Sequence, residues 1–452
     1  MMRVLAAGLI LWSVAAGGIS PQEAPAQESR GHWPQWRGPE ANGASETANP
    51  PIEWGPEKNV KWKVAVPGQG SGSPIVWGER VYLLTALKTD RQQEPRAEAR
   101  EETPEAPGGG RRGRARAEAP HHYYQFIVLC YDRESGEEIW RTVAAEEVPH
   151  EPGHETNSFA SSSPVTDGKR LFVSFGSRGI FCFDMNGNKQ WERDLGQMET
   201  RAGFGEGSSP ALDGDVLIIP WDHEGDSSVI ALDANSGRTL WESERDERTT
   251  WATPLITEYQ GRKQVITNGT RVRSYDLNTG ELLWECGGQV QNPIPSPIRF
   301  RDSVICMTGF RGNAIYSISL EARGDVTDTA EVLWSREDAA PYVPSAALYK
   351  GRLYLTKANN AIVTSIDAET GEVVIPQQRL PGIRMLYASP VAAAERIYFT
   401  GRDGTTVVIK HGDALEVLAT NSIGEPVDAS PALVGDELLL RSSSHLYCIA
   451  QP

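Results

Sequence analysis

The chain has 452 residues, with 44 Lys and Arg against 60 Asp and Glu, for a net charge of −16. A field of that sign repels phosphate backbones and anionic lipid, which excludes nucleic acid as an expected partner. Gly (44) and Pro (30) are plentiful beside an ordinary hydrophobic share, the balance of a turn-rich all-β protein.

The N-terminus reads as an export signal. Met1-Met2-Arg3 gives a positive start, Val4 to Ile19 an apolar run, and Ala24-Pro25-Ala26 a small-x-small cleavage site. Residues 1–26 are therefore expected to be a signal peptide. The absence of a Cys near the cleavage point speaks against a lipid anchor. A soluble periplasmic or secreted protein is expected, with no transmembrane span in the mature chain. Residues 27–52 form an N-terminal extension before the repeats.

From residue 53 to 452 the chain repeats itself, and self-similarity at a fixed period means stacked supersecondary units. A strand ends in Asp, a turn ends in Gly, and a second strand ends in Trp. The phrase runs from Asp132 through Gly136 to Trp140, from Asp233 through Gly237 to Trp241, and from Asp276 through Gly280 to Trp284. Trp191 and Trp334 close two further units, and Ile375 takes the Trp position in another. Gly supplies the positive φ of the turn, and the Asp carboxylate accepts turn N–H groups. A Trp at the end of a blade can wedge against its neighbour.

A second landmark opens each unit: Ser73-Pro74, Ser163-Pro164, Ser209-Pro210, Thr253-Pro254, Ser296-Pro297, Ser345-Ala346, Ser389-Pro390 and Ser430-Pro431. Strands rich in β-branched and aromatic residues follow. The eighth unit lacks its closing strand, and Asn59 to Val64 is an orphan strand at the other end. Joining the two closes a ring and removes sheet edges. The expected fold is an all-β, eight-bladed β-propeller of four-stranded antiparallel blades, closed by the N-terminal strand. The five cysteines are odd in number and form no disulfide framework; Cys130, Cys182 and Cys448 occupy equivalent strand positions and read as small buried hydrophobes.

Residues 88–122 break the first unit. This stretch is charged, rich in Pro and Gly, and nearly free of large apolar residues, so a disordered insertion is expected. Its Arg cluster suggests an arm for an acidic partner. His150-Glu151-Pro152-Gly153-His154 matches the H-E-x-x-H zinc pattern. Pro152 and Gly153 oppose the helix that the pattern needs, so a loop is expected and no metal site is assigned. Gly203 to Gly207 lacks the Lys of a phosphate loop and reads as a turn. No catalytic residues are identified.

These phrases resemble the quinoprotein-like family of pyrroloquinoline-quinone-like β-propellers, in which the Asp–Gly–Trp pattern is the tryptophan-docking motif. The leader His32-Trp33-Pro34-Gln35-Trp36-Arg37-Gly38-Pro39 looks like the start of exported bacterial members of planctomycete type. More distantly, the chain is similar to the propeller lipoprotein of the barrel-assembly machine. The resemblance to the family's dehydrogenases implies a quinone with calcium, but no adjacent Cys pair occurs and no calcium-binding set can be placed.

Function is therefore expected to be that of an exported, non-enzymatic scaffold binding a protein or glycan of the cell envelope. The alternative is an enzyme using the channel mouth, either a quinone- and calcium-dependent dehydrogenase or a polysaccharide-processing protein. Ligand contacts are expected from loops that depart from the repeat: His154, Asn157, Trp221, Asp222, Trp251, Tyr342 and Tyr387. Arg384 and Arg441 are expected to hold an anion.

Overall fold

The computed structural model describes residues 31–94 and 119–451. The predicted signal peptide, and most of the predicted insertion, lie outside the described residues. The described chain folds into eight antiparallel sheets, each a meander running outward from a short innermost strand. These innermost strands are Ile75–Trp77, Val165–Thr166, Ala211–Asp213, Leu255–Tyr259, Ile298–Phe300, Ala347–Tyr349, Val391–Ala393 and Ala432–Val434. They follow the Ser-Pro landmarks in sequence order and define blades 1 to 8. The architecture is an eight-bladed β-propeller.

The ring closes as predicted. Val60–Ala65 pairs antiparallel with His445–Ile449, from Val60↔Ile449 to Ala65↔His445, and supplies the outer strand of blade 8. Pairing satisfies strand edges that water or another chain would otherwise meet. All five cysteines are buried and unbonded. No helix among the described residues is long and apolar enough to cross a membrane.

Two repeated contacts link the blades. The first explains the opening landmark. The backbone N–H of Ser73 donates to Ser163 Oγ, and Ser163 N–H to Ser209 Oγ, each at 2.9 Å; Ser209 N–H donates to Thr253 Oγ1 at 3.0 Å. Across the ring, Ser296 donates to Ser345, Ser345 to Ser389 and Ser389 to Ser430, at 2.8–3.0 Å. Buried N–H groups need acceptors, and here the next blade's hydroxyl provides one.

The second contact uses the Trp. The indole N–H of Trp191 donates to Ala234 O at 3.0 Å in the following blade, and its ring lies where a Cβ on Gly237 would fall, 2.7 Å away. Trp62, Trp140, Trp241 and Trp334 make the same contact with the turns at Gly136, Gly187, Gly280 and Gly371. Trp284 departs from the series. It is fully buried and donates to Gln264 Oε1 within its own blade. The corresponding turn of blade 5 is expanded, and its Gly324–Asp325 pairs in parallel with Trp284 and Glu285.

The N-terminal extension is an integral part of the propeller. A four-stranded meander places the blade-to-blade connections and the middle hairpins on one face, here the connection face, and the other hairpins on the opposite face. The segment from Gly31 enters from the opposite face. His32–Trp33 pairs with Ile75–Trp77 of blade 1, Pro34 O accepts Thr166 N–H of blade 2, and Ala44–Ser45 pairs in parallel with blade 7. At its tip, Trp36 Nε1 donates to Ser296 Oγ at 3.0 Å. Arg37 is 1% exposed and donates to Pro390 O at 2.8 Å and to Ala346 O. Its partners are neutral carbonyls, and burial pushes its pKa down to about 9. The axis is thus filled from one side by the chain itself.

Blade 1 is longer than the rest. Arg80–Gln92 and His122–Asp132 pair out to Gln92↔His122, with a register shift after Lys88, so strand takes in residues 88–92 and 122 of the expected insertion.

Candidate functional site

The sequence-predicted residues converge only in part, and they do so at the connection face. The loop holding His154 enters blade 2. It is a loop and not a helix, as Pro152 and Gly153 require. His154 Nδ1 is 2.8 Å from Thr156 Oγ1, and its ring meets Phe204 edge-on at 5.0 Å. Thr156 Oγ1 in turn reaches Tyr387 Oη at 3.4 Å, across 231 residues of sequence. Blades 2 and 7 therefore meet over the axis.

Around this bridge lie groups from further blades. Arg402 covers the Tyr387 ring at 4.4 Å and is held by Asp428 through two bonds of 2.6 and 3.0 Å. Tyr342 packs against Phe310 with the rings tilted by 33° and their centroids 5.0 Å apart. Burial pushes the Tyr342 phenol up, while the nearby Asn292 amide and the Arg201 charge pull the other way. Arg201 Nη1 donates to Asn292 Oδ1 at 2.8 Å and to Gln291 Oε1 at 3.2 Å. Trp251 borders the same region, its indole donating to Gly205 O and its backbone N–H to Pro293 O.

The other predicted residues have structural work or stand apart. Asn157 Nδ2 donates to Phe204 O and Glu206 O, tying two connections together. Trp221 and Asp222 are buried. Asp222 pairs with Arg245 at 2.7 Å and accepts Thr250 Oγ1; burial pushes its carboxyl up and Arg245 opposes that shift. Arg384 is exposed, and no bond ties it to the cluster. The expectation for Arg441 needs correction. It is 2% exposed and donates to Leu84 O at 2.5 Å, between blades 8 and 1. Enclosed by protein, it has no access to a solvent anion.

A cleft between blades 2 and 3 adjoins the mouth. It encloses about 50 Å³ and is lined by Glu151, Arg178, Glu206, Trp221, Asp222 and Trp251, among others. Ligand atoms of His150, Glu151 and Glu206 lie within 4.8 Å of one another. Each is already bonded inside the protein. His150 Nδ1 meets Arg178 Nη1 and its Nε2 meets Met198 O, both at 2.7 Å. Glu206 accepts Ser177 N–H at 2.7 Å, and Glu151 accepts the Thr200 N–H at 3.1 Å. The Arg178 guanidinium, bonded to His150, lies within electrostatic reach of both carboxylates, and the cluster is a closed hydrogen-bonded network. Burial pushes the Glu206 carboxyl up, against Arg178 and the Ser177 bonds.

Sequence reasoning missed Arg201, Phe204, Phe310, Arg402 and Glu206. One local signal was present. The connection from Trp191 to Ser209 is longer than that from Trp241 to Thr253, and its extra residues carry Arg201 and Phe204 to the mouth.

The family model described as "Outer membrane protein assembly factor BamB" matches residues 125–377. The chain belongs to this family of PQQ-like propellers. Among solved structures, BamB from Moraxella catarrhalis is 15% identical with a TM-score of 0.51, covering 71% of this chain and 88% of that one. A europium-containing methanol dehydrogenase is 10% identical with a TM-score of 0.63, covering 94% and 99%. A quinohemoprotein alcohol dehydrogenase from Comamonas testosteroni, also 10% identical with a TM-score of 0.63, covers 95% and 83%. At such identities the likeness is one of fold. No curated protein matches the chain.

Proposed function

We propose that this protein is an exported, non-enzymatic scaffold that binds a protein of the cell envelope through the mouth on its connection face. The observation that carries this reading is an axis occupied by the chain's own residues. Trp36 and Arg37 fill it from one side, and Thr156 meets Tyr387 over it on the other. What remains accessible is a rim of Tyr, Phe, Trp and Arg, the residue types that dominate protein–protein hot spots. The family's name, an outer membrane assembly factor, agrees with an envelope role.

The residues fit a quinone with calcium poorly. The cleft of about 50 Å³ falls well below the roughly 300–1,000 Å³ of small-molecule sites. The carboxylates that would hold a divalent ion already accept from Ser177 and Thr200, and the third candidate ligand, His150, is bonded to Arg178.

Photo-cross-linking in envelope preparations tests the proposal. A cross-linking residue at Tyr342 should capture one discrete protein, while one at Gln260, exposed on the opposite face, should capture none. Saturable uptake of pyrroloquinoline quinone with calcium, accompanied by dye-linked alcohol oxidation, would overturn it.

A further inference from the structure

We infer that the mouth recognises a carboxylate of its partner polypeptide, and that Arg201 is the residue that grips it. This inference rests on the scaffold reading and names the chemistry of the partner at the same site.

The argument starts from the state of the Arg201 guanidinium. Both acceptors of Nη1, Asn292 Oδ1 and Gln291 Oε1, are neutral amide oxygens. Among the described residues no carboxylate lies within ion-pair distance of it, although other arginines of the mouth and cleft do have such partners: Arg402 has Asp428 and Arg245 has Asp222. Its Nε and Nη2 donate to nothing in the described chain and are not enclosed by it. Nε–H and Nη2–H are the parallel pair of donors that matches the two oxygens of a carboxylate. The amides thus hold one edge of the guanidinium and leave the bidentate edge open.

The backbone supports this placement. Arg201 opens a 3-10 turn, Arg201–Gly203, in which Ala202 has φ 54° and ψ 20°. A left-handed alanine is uncommon, and such strain persists only where the surroundings fix it. Here Arg201 N–H donates to Thr249 Oγ1 at 2.9 Å and Gly203 N–H to Thr200 O at 2.9 Å. The turn pins the base of the side chain while Asn292 holds its end. Tyr342, packed against the Phe310 ring, lies within electrostatic reach of both Arg201 and Tyr387. Two phenols and the Phe310 ring thus stand beside the open fork, ready to flank a carboxylate borne on an apolar segment.

The one positive charge of the Arg201 guanidinium, on a chain of net charge −16, suits a singly charged carboxylate better than a doubly charged phosphate. The probe is the blocked tripeptide acetyl-Phe-Glu-Phe-amide, observed by saturation-transfer NMR on the full-length protein. Saturable binding is expected, weakened at least tenfold when Glu is replaced by Gln in the peptide. Arg201→Gln should abolish it, and Arg201→Lys should lose most of it, because an ammonium cannot present the fork. Lys169→Gln, on an exposed residue of the opposite face, should bind as wild type. Far-UV circular dichroism confirms that each variant folds. Equal binding by Arg201→Gln, equal binding of the Gln peptide, no saturable binding at all, or full displacement by inorganic phosphate at equal concentration would each overturn the assignment. Retention of the Tyr342 cross-link in Arg201→Gln would remove the carboxylate inference and leave the scaffold standing; loss of the cross-link in wild type would remove the scaffold.

Discussion

The backbone N–H of Ser163 donates to the hydroxyl of Ser209 at 2.9 Å, 46 residues further along the chain. Both residues are buried beside the axis. The following prolines bring no N–H of their own to this crowded level, so the serine amides are the donors that need partners. The two arcs of such bonds make the innermost strands of blades 1 to 3 and 5 to 7 depend on their successors.

Removing one hydroxyl tests that dependence. Ser209→Ala leaves the Ser163 N–H buried without an acceptor, a loss of about 1–3 kcal/mol. Ser209→Thr keeps the oxygen, as Thr253 does in the native ring. Urea unfolding should therefore show a lowered midpoint for the Ala variant and near wild-type behaviour for Thr. Equal midpoints for Ala and wild type would mean that the bond adds nothing to stability.

The Trp contact predicts a difference between two glycines of like conformation. Gly237 has φ +70° with the Trp191 ring 2.7 Å from an added Cβ, whereas Gly261 has φ +77° with nothing within 4 Å. Alanine at either position meets the left-handed penalty of about 1 kcal/mol. Only Gly237→Ala must also push Trp191 off its site and strain the bond to Ala234 O. Its melting temperature should fall further than that of Gly261→Ala, and Trp191 fluorescence should shift only in the former. Equal losses would reduce this glycine's role to its φ.

The periodic features were legible because they are local. Asp233 accepts Ser236 N–H through Oδ1 within one turn, and Gly237 and Trp241 follow at fixed spacing. The closing strand was legible because the eighth unit lacked a partner and residues 59–64 lacked a sheet. The mouth was not. Arg201, Asn292, Tyr342 and Tyr387 come from connections to different blades, and only ring closure makes them neighbours. Arg441 was misread because its charge outweighed its context: it ends the buried run Leu438-Leu439-Leu440, and that run marked it as interior. The leader around Trp36 and Arg37 was read as a family marker, although two Trp beside an Arg also describe a segment that is packed against something.

That packing predicts what the leader does for the ring. Arg37→Ala removes the donors to Pro390 O and Ala346 O and opens a cavity, costing about 3 kcal/mol or more. The effect should be local before it is global. Ala392 N–H donates to Gly43 O at 2.9 Å and Leu348 N–H to Asn42 O at 3.0 Å, so both amides should exchange faster with deuterium in the variant. Ile266 of blade 4, paired with Ser274 within its own sheet, should keep its protection. Unchanged exchange at Ala392 and Leu348 would show that the leader is seated without Arg37.

The closed network of the cleft predicts a pH dependence of definite sign. Burial raises the Glu206 carboxyl in the folded state above its ordinary value of 4.5. Between the unfolded and folded values the native protein therefore holds a proton that the unfolded chain has lost. Stability falls as pH rises through that window and recovers as pH falls. Glu206→Gln keeps the shape and never ionises. It should melt at a higher temperature than wild type at pH 7, with the gap closing as pH is lowered toward 4.5. The opposite outcome, a Gln variant less stable at pH 7, would mean that attraction to Arg178 outweighs desolvation and that Glu206 is ionised in the native state. Melting curves of both proteins from pH 4 to pH 8 decide between the two.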